Sequence, residues 1–213
     1  MDEQIKLYLE ERLSPKEEWI LTLEETAKEN RVPIMDSISI DYMLNLIKMH
    51  QPKKILEVGT AIGYSALRML EASPSAEIVT IEKDETRYQE AVENINSLQK
   101  MDRIDIHLGD ALDVLQELAA KKEMYDFIFI DAAKGKYQEF FNLANQLLAS
   151  TGILITDNVL FRGYVASPEL APKRYKSMVK KIRNYNDFLT SHPAYITSIL
   201  PIGDGVMISY KKD

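Results

Sequence analysis

The sequence predicts an α/β fold of the doubly wound, Rossmann-like class, with a mostly parallel sheet, a C-terminal antiparallel hairpin and additional N-terminal helices. Strand-like and helix-like segments alternate between residues 54 and 156, and strands separated by helices favour parallel pairing. The apolar run at residues 127–130 is uninterrupted, which is typical of a strand buried on both faces. The last two strand-like segments flank Gly203-Asp204-Gly205, a short turn that favours an antiparallel hairpin.

The first 50 residues are predicted to form a helical N-terminal extension. Ser14-Pro15-Lys16-Glu17 is typical of a capped helix start with proline in the first turn. Four apolar residues then follow at helical spacing: Trp19, Ile20, Leu23 and Ala27. We expect the next helix to begin at Asp36 or Ser37, before the pattern changes to that of a short buried strand.

The α/β part is predicted to contain five strands with intervening helices, followed by the hairpin. The strands are expected at residues 54–58, 78–81, 104–108, 125–130 and 153–156, and the hairpin at 195–200 and 206–210. The helices are expected at 64–72, 85–99, 111–121 and 138–149, the last ending at Gly152 in a left-handed cap. No repeat or flexible linker interrupts this pattern, so we expect one domain over residues 1–213.

Composition restricts the class of protein and the kind of metal site. With 213 residues and 46% apolar content, the chain has the size of one compact domain. It contains no run of about 18 apolar residues and no apolar leader, so we expect a cytoplasmic protein without a membrane span. With no cysteine and three histidines, any metal must be held mainly by oxygen.

The charge distribution contains one basic island. The net charge of -7 argues against general polyanion binding, but seven basic residues and the single acid Glu169 lie between positions 162 and 183. The candidate nucleic-acid-binding residues are Arg162, Lys173, Arg174, Lys180 and Lys181. Tyr164, Tyr175 and Tyr185 are interleaved with them and are expected to stack on bases. The alternative interpretation is a solvated helix face.

Residues directly after the predicted strands suggest a nucleoside cofactor, because ligands of open α/β sheets bind beyond the carboxyl ends of the strands. The first strand leads into a turn with Gly59 and Gly63, where backbone can approach a ligand closely. Glu82 ends the second strand, where a carboxylate can bind ribose hydroxyls. Asp110 and the small Ala111 follow the third strand and suit adenine. The alternatives are an ordinary tight turn and a dinucleotide site, although the pattern lacks Gly-x-Gly-x-x-Gly.

Oxygen donors follow the fourth and fifth strands. Asp131 comes after the fourth strand, and Asp157 and Asn158 come after the fifth. Neighbouring parallel strands would bring these side chains to one edge of the sheet, where carboxylate and amide oxygens suit Mg²⁺ or another hard divalent cation. The alternative is that Asp131 caps a helix and Asp157-Asn158 form a turn.

Several of these motifs together resemble one enzyme family. They are Glu57-Val58-Gly59-Thr60-Ala61-Ile62-Gly63-Tyr64-Ser65, Ile81-Glu82, Gly109-Asp110-Ala111, Phe129-Ile130-Asp131-Ala132-Ala133-Lys134 and Thr156-Asp157-Asn158-Val159-Leu160. The chain resembles the cation-dependent, catechol-type O-methyltransferases of class I from about residue 33 to its end. It is most similar to the bacterial branch of tRNA 5-hydroxyuridine methyltransferases, through Val32-Pro33-Ile34-Met35 and Pro201-Ile202-Gly203-Asp204-Gly205 among others.

The resemblance implies roles for individual residues. S-adenosylmethionine would be surrounded by Met35, Glu57, Gly59, Tyr64, Ser65, Glu82, Asp110, Ala111 and Asp131. The metal would be held by Asp131, Asp157 and Asn158. Lys134 and Asp131 would be catalytic, with Lys134 as the acceptor of a proton from the substrate hydroxyl. Where the catechol enzymes have a large aromatic residue, this chain has Ala132-Ala133, which implies a wider entrance.

Three functions follow as hypotheses. The first is methylation of the 5-hydroxyl of 5-hydroxyuridine in the anticodon region of tRNA, which gives 5-methoxyuridine. The second is methylation of small catechol-like phenols, and the third, from a different class, is a nucleotide-binding module without catalysis. The amphipathic N-terminal helices and the family resemblance also predict a homodimer.

Overall fold

The computed structural model describes residues 3–213, which form one seven-stranded sheet flanked by helices. The strands are β1 (Lys54–Val58), β2 (Glu77–Glu82), β3 (Ile104–Leu108), β4 (Tyr125–Ile130), β5 (Leu148–Thr156), β6 (Tyr195–Leu200) and β7 (Val206–Lys211). The α-helices are α1 (Glu3–Glu10), α2 (Glu18–Glu29), α3 (Ser37–His50), α4 (Tyr64–Ala72), α5 (Glu85–Ser97), α6 (Ala111–Ala120), α7 (Tyr137–Leu147) and α8 (Lys176–Thr190). Short 3₁₀ turns occupy Lys134–Lys136, Pro168–Leu170 and Lys173–Tyr175.

The sheet has the strand order β3-β2-β1-β4-β5-β7-β6. Strands β1 to β5 pair in parallel, whereas β7 lies antiparallel to both β5 and β6. The carboxyl ends of β1 to β5 therefore meet at one edge, with the order reversing beside β1, as in doubly wound sheets. The predicted fold class is confirmed, including the C-terminal antiparallel hairpin.

Each face of the sheet carries its own core. Leu56, Val58 and Ile128 belong to the cluster formed with α6, α7 and α8. Ile55 and Phe127 belong to the opposite cluster, formed with α2, α3 and α4. Because these strand residues alternate between two covered faces, both parities are apolar, and residues 127–130 are fully buried. The N-terminal extension is therefore the cover of one face.

The boundaries of two predicted helices differ from expectation. Helix α2 begins at Glu18, and the preceding segment stays extended while Lys16 Nζ binds Glu24 (2.8 Å) and Ser37 Oγ (3.2 Å). The expected cap at Gly152 is also wrong, since α7 ends at Leu147 and Gly152 lies inside β5. A Cβ at Gly152 would lie 2.6 Å from Leu148 Cδ1, so packing requires glycine there.

Other expectations hold at the helix starts. Asp36 caps α3, because its Oδ1 accepts hydrogen bonds from the backbone N–H groups of Ile38 (3.2 Å) and Ser39 (3.1 Å). Gly63 precedes α4 with a left-handed backbone. Within residues 3–213, no helix has the length and apolar character needed to cross a bilayer.

Candidate active site

A cavity of about 490 Å³ opens at the carboxyl ends of the parallel strands. Most of the residues predicted for the cofactor, metal and catalytic roles line it: Met35, Gly59, Tyr64, Ser65, Glu82, Asp110, Ala111, Asp131, Lys134, Asp157 and Asn158. These residues come from five strand ends and from the segment before α3. The fold therefore brings the predicted nucleoside and metal groups into one site.

The turn after β1 depends on glycine. Gly59 has a φ of 105°, and a Cβ there would overlap with the carbonyl oxygen of Asp131. The end of β1 and the end of β4 consequently approach each other more closely than any other residue would allow. Tyr64 and Ser65, the first residues of α4, line the cavity, and N–H groups in the first turn of a helix have no partner within the helix and can bind an anionic group.

The two carboxylates predicted to bind the nucleoside are held in place by backbone N–H groups. Glu82 accepts hydrogen bonds from the N–H groups of Ala61 (2.8 Å) and Lys83 (2.8 Å). Asp110 caps α6 through the N–H of Leu112 (3.0 Å), and this bond, followed by the nearby charge of Lys136, lowers the pKa of Asp110. Lys136 Nζ lies 3.6 Å from Asp110 Oδ2 and was not predicted from the sequence.

Glu57 lies behind the cavity wall rather than on it. Its carboxyl is fully buried and accepts hydrogen bonds from Ser65 Oγ and from Thr80 Oγ1 (2.5 Å). Burial raises the pKa of Glu57 to about 8, although both hydroxyl bonds oppose that shift. The group therefore orients Ser65, and any contact between Glu57 and a ligand passes through this neighbour.

Tyr64 lines the cavity, but its hydroxyl bonds to a residue outside the cavity lining. Its side chain is buried, and the hydroxyl donates to Glu24 Oε1 (2.6 Å) on α2. Glu24 in turn pairs with Lys16 (2.8 Å). The N-terminal extension is thus tied to the first residue of α4, immediately after the glycine turn.

The predicted metal ligands form a compact acidic group. The N–H of Asp157 donates to the carbonyl of Ile130 (3.0 Å), the residue before Asp131. Burial raises the pKa of Asp157 to about 8, with a further contribution from the charge of Asp131. Burial likewise raises the pKa of Asp131, while Lys134 opposes it. The buried Asp157 carboxyl beside the half-buried Asp131 carboxyl, each with a raised pKa, forms a site that a cation would stabilise.

The donor set suits a hard cation. Asn158 Nδ2 donates to Asp157 Oδ2 (3.0 Å), and Lys134 Nζ donates to Asn158 Oδ1. Among residues 3–213, no three His, Cys, Asp or Glu side chains cluster as a metal site; the ligands predicted from the sequence are two carboxylates and one amide. That number leaves coordination positions for water or substrate, as Mg²⁺ commonly requires.

The predicted basic residues lie on a surface next to the cavity. Arg162, Lys173, Arg174, Lys180 and Lys181 are all exposed. Lys181 Nζ donates to the carbonyl of Gly135 (3.2 Å), which lies between two residues that line the cavity. We call the exposed basic residues of segment 162–183 the basic surface; it reaches the rim of the site.

One of the three expected stacking residues is wrongly assigned. Tyr185 is only 1% exposed, and its hydroxyl bonds to Thr156 Oγ1 (2.8 Å), so it cannot stack on a base. Tyr164 and Tyr175 are half-buried and stack on each other, with ring centroids 6.4 Å apart. The period of α8 turns Tyr185 towards the core, which residue spacing relative to the lysines did not show.

Sequence reasoning also missed part of the cavity wall. Val32, Pro33 and Ile34 line the cavity together with Met35, although only Met35 was assigned a role. Phe140 on α7 also lines the cavity and adds an aromatic side chain to its wall. The Val32 segment was singled out as a motif, whereas the amphipathic pattern of α7 holds no signal that separates Phe140 from ordinary core residues.

Comparisons with known proteins identify the family. The model of the O-methyltransferase family matches residues 11–212. The chain belongs to this family. Caffeoyl-CoA O-methyltransferase 1 of Arabidopsis thaliana is 30% identical over an alignment of 221 positions, which covers 97% of this chain and 83% of the plant protein. The enzyme class predicted from the sequence is thereby confirmed, which favours an enzyme over a non-catalytic nucleotide-binding module.

Solved structures of similar proteins agree with the assignment of this O-methyltransferase. A candidate caffeoyl-CoA O-methyltransferase from Staphylococcus aureus is 37% identical, with a TM-score of 0.87 and 98% of each chain covered. An O-methyltransferase from Bacillus cereus, solved in complex with SAH, is 26% identical with a TM-score of 0.86, covering 98% of this chain and 97% of its own.

Proposed function

We propose that this O-methyltransferase acts in the cytoplasm and transfers the methyl group of S-adenosylmethionine to the 5-hydroxyl of 5-hydroxyuridine in the anticodon region of tRNA. The observation that carries the proposal is the junction between the basic surface and the cavity, where Lys181 binds the carbonyl of Gly135 (3.2 Å). A polyanion on this surface would place a nucleotide at the cavity entrance. A small phenol without phosphate groups would have no use for such a surface.

S-adenosylmethionine would supply an electrophilic methyl group on its sulfonium. The similar Bacillus cereus enzyme was solved in complex with SAH, which supports S-adenosylmethionine as the methyl donor. Glu82 would bind the ribose hydroxyls, Asp110 the adenine amino group, and Ser65 together with the α4 N–H groups the amino acid end. Asp131 and Met35 would complete the enclosure. These groups would bind and orient the methyl donor. The apolar residues Val32, Pro33 and Ile34, which line the cavity, would exclude water from it.

A divalent cation, when bound, would lower the pKa of the acceptor hydroxyl. Asp131, Asp157 and Asn158 would hold that cation. Lys134 Nζ contacts Asn158 Oδ1 and, as a neutral amine, would accept the hydroxyl proton at the same position. The 5-hydroxyl of the modified uracil lies beside a ring carbonyl, so it offers the same pair of oxygens as a catechol. Ala132 and Ala133 leave the entrance wide enough for a nucleotide.

The direct test is mass spectrometry of nucleosides from tRNA incubated with the enzyme, S-adenosylmethionine and Mg²⁺. The tRNA should come from cells that contain 5-hydroxyuridine but lack 5-methoxyuridine. We expect conversion of the first nucleoside to the second. An unchanged 5-hydroxyuridine peak, with an enzyme that binds S-adenosylmethionine, would refute the substrate and leave the reaction class intact.

The Asp157→Ala variant tests the cation role separately. We expect turnover to fall at least 100-fold because a cation ligand is lost, while the affinity for S-adenosylmethionine changes little. Titration calorimetry with the methyl donor and a methyl-transfer assay provide the two measurements. Asp126→Ala, at the opposite end of β4, is the matched control. Wild-type turnover of Asp157→Ala in excess chelator would contradict the assignment.

A second candidate function is methylation of catechol-bearing small molecules. The similarity to plant caffeoyl-CoA O-methyltransferases favours it. It predicts turnover of free catechols, or of caffeoyl thioesters, at rates comparable with those on tRNA. Assays with both acceptors, at equal S-adenosylmethionine and Mg²⁺ concentrations, compare the two candidates directly.

We also propose that the protein is a homodimer. Helix α1 has eight residues and buries none of them, so it gains little from packing within one copy. Leu7 is 53% exposed there and Leu21 on α2 is equally exposed. A second copy covering this face would stabilise α1. Sedimentation equilibrium should give twice the chain mass, and Leu7→Lys should shift the protein towards monomer.

A further inference from the structure

The segment at residues 156–159, which includes Asp157 and Asn158, is bound from inside the protein by buried hydroxyl groups. The Tyr137 hydroxyl donates to the backbone carbonyl of Asp157 (2.7 Å). The Tyr185 hydroxyl shares a hydrogen bond with Thr156 Oγ1 (2.8 Å). Both tyrosines are 1% exposed. Such buried bonds exclude competing water and hold the backbone in one position.

A third buried group binds the same segment. Asn186 on α8 donates from Nδ2 to the carbonyl of Val159 (2.9 Å). The N–H of Val159 donates on the other side to the carbonyl of Gly205 (2.9 Å) in the turn between β6 and β7. The segment is therefore fixed from the helices and from the hairpin at once.

This segment needs such support because its backbone is unusual. Asn158 has a φ of 58°, in the left-handed region, which costs most residues other than glycine roughly 1 kcal/mol or more and asparagine less, because its side chain can hydrogen-bond locally. In this conformation the Asn158 N–H donates to Asp157 Oδ1 (2.7 Å) and its Nδ2 to Oδ2 (3.0 Å). The conformation therefore determines where both predicted ligands direct their oxygens.

Tyr137 has a position that the other supporting groups lack. It follows the 3₁₀ turn Lys134–Lys136 directly, so one short stretch carries both the Lys134 amine and the Tyr137 hydroxyl. Lys134 contacts Asn158 Oδ1 while Tyr137 binds the Asp157 carbonyl. Two neighbouring hydrogen bonds thus join the segment 134–137 to Asp157 and Asn158. The buried Tyr137 bond sets the distance between Lys134 and these predicted ligands.

We propose that Tyr137 is a positioning residue that holds the cation ligands Asp157 and Asn158, and the proton acceptor Lys134, in one mutual arrangement. It touches neither substrate nor cation and acts through the backbone of Asp157. The inference rests on the proposed cation site. Tyr185 acts in the same way through Thr156, with a smaller effect because its bond lies one residue before the ligands.

Replacing Tyr137 by phenylalanine removes only its hydroxyl, and the structure offers a second buried tyrosine, Tyr195, as a control for that change. Tyr195 is 4% exposed, and its hydroxyl donates to Asn145 Oδ1 (2.7 Å), a bond of the same length as that of Tyr137. In the sheet, Tyr195 on β6 pairs with Lys211 on β7, and Thr156 on β5 pairs with Met207 on β7. Lys211 and Met207 are four residues apart. The two tyrosines are comparable in exposure and in hydrogen-bond length, although the Tyr195 bond is half-buried, and Tyr195 lies about 13 Å along the strands from Thr156.

The experiment measures Mn²⁺ affinity in Tyr137→Phe, Tyr185→Phe and Tyr195→Phe by the electron paramagnetic resonance of free Mn²⁺. The thermal midpoint in chelator and the affinity for S-adenosylmethionine are measured alongside. We expect the Mn²⁺ dissociation constant to rise about tenfold in Tyr137→Phe and less in Tyr185→Phe, against no more than about twofold in Tyr195→Phe. The midpoints of Tyr137→Phe and Tyr195→Phe should fall equally, with donor affinity unchanged.

The outcomes separate the positioning role from the cation site. A wild-type protein that binds no Mn²⁺ overturns the cation site and the positioning role together. A wild type that binds Mn²⁺, with Tyr137→Phe indistinguishable from Tyr195→Phe, overturns the positioning role alone. If Tyr137→Phe does not fold, the same comparison between Tyr185→Phe and Tyr195→Phe decides, since a purely structural hydroxyl would leave Mn²⁺ affinity unmoved.

Discussion

At the scale of single residues, burial disfavours the ionisation of one carboxyl group behind the site and one within it. Glu57 and Asp157 both have pKa values raised to about 8, and burial is the main cause for each. A carboxyl whose pKa rises on folding stabilises the fold below its unfolded pKa, and that stabilisation is lost as pH rises through the folded value. The ligand-free protein should therefore be less stable at pH 8 than at pH 5.

Replacement of Glu57 by glutamine tests this dependence. The wild type should lose up to about 1.4 kcal/mol of unfolding free energy per pH unit through Glu57 between pH 5 and pH 8, because folded Glu57 retains its proton there. Glu57→Gln removes that contribution, so it should gain relative to the wild type as pH rises. Urea unfolding at pH 5.5 and 8.5 measures the difference, with the exposed Glu77→Gln as control. A constant difference across this range would contradict a neutral Glu57.

Cation affinity should depend on pH for the same reason. Asp157 must lose its proton to bind a cation, and its pKa is raised to about 8. Mn²⁺ affinity should therefore increase between pH 6 and pH 8, by up to about tenfold per unit for each proton released. Calorimetry in two buffers of different ionisation enthalpy counts the protons. Binding that releases none would show that Asp157 is already ionised or is not a ligand.

At the scale of elements, the hairpin turn between β6 and β7 supports the segment that follows β5. The N–H of Leu160 donates to the carbonyl of Asp204 (2.9 Å), and the N–H of Arg162 donates to the Asp204 carboxylate. The glycines of this turn are needed for close approach: a Cβ on Gly205 would lie 2.7 Å from Leu160 N. Pro201-Ile202-Gly203-Asp204-Gly205 thus supports the segment that carries Asp157 and Asn158, although it contributes no side chain to the cavity.

Two alanine substitutions separate crowding from backbone strain in this region. Gly205 and Gly163 both have positive φ, 92° and 76°, but a Cβ on Gly163 would meet nothing within 4 Å. Gly163→Ala should cost about 1 kcal/mol of unfolding free energy. Gly205→Ala should cost about 2 kcal/mol more, because the backbone of Leu160 must move. Equal losses in chemical denaturation would show that the turn adapts to the added methyl.

At the scale of the whole molecule, charge is unevenly distributed. The chain carries a net charge of -7, yet the basic surface borders the cavity. The remaining acidic surface would repel a polyanion, so a bound tRNA would be oriented towards the site. Each face of the sheet is covered by one hydrophobic core, so neither face is free to bind a ligand.

Charge reversal tests this orientation. A Lys173→Glu, Arg174→Glu, Lys180→Glu variant should bind tRNA at least tenfold more weakly and show a shallower dependence of log affinity on log salt. Lys53→Glu, Lys121→Glu, Lys122→Glu, at the other end of the parallel strands, is the matched control and should bind nearly as the wild type does. Filter binding at several salt concentrations measures both. Equal weakening in the two variants would mean that the basic surface has no special role.

The sequence alone determined the succession of strands and helices along the chain and the mostly parallel sheet with its hairpin. It also determined which strand ends carry Gly59, Glu82, Asp110, Asp131 and Asp157. Those features follow from local periodicity and from the rule that parallel strands end at one edge, so no long-range contact was needed. Only the tertiary structure decided that Glu57 lies behind Ser65, that Tyr185 faces the core and that Gly152 belongs to a strand. It also decided that Tyr137 binds Asp157. Each of these depends on a contact between distant segments, and spacing along the chain carries no information about which buried partner a side chain meets.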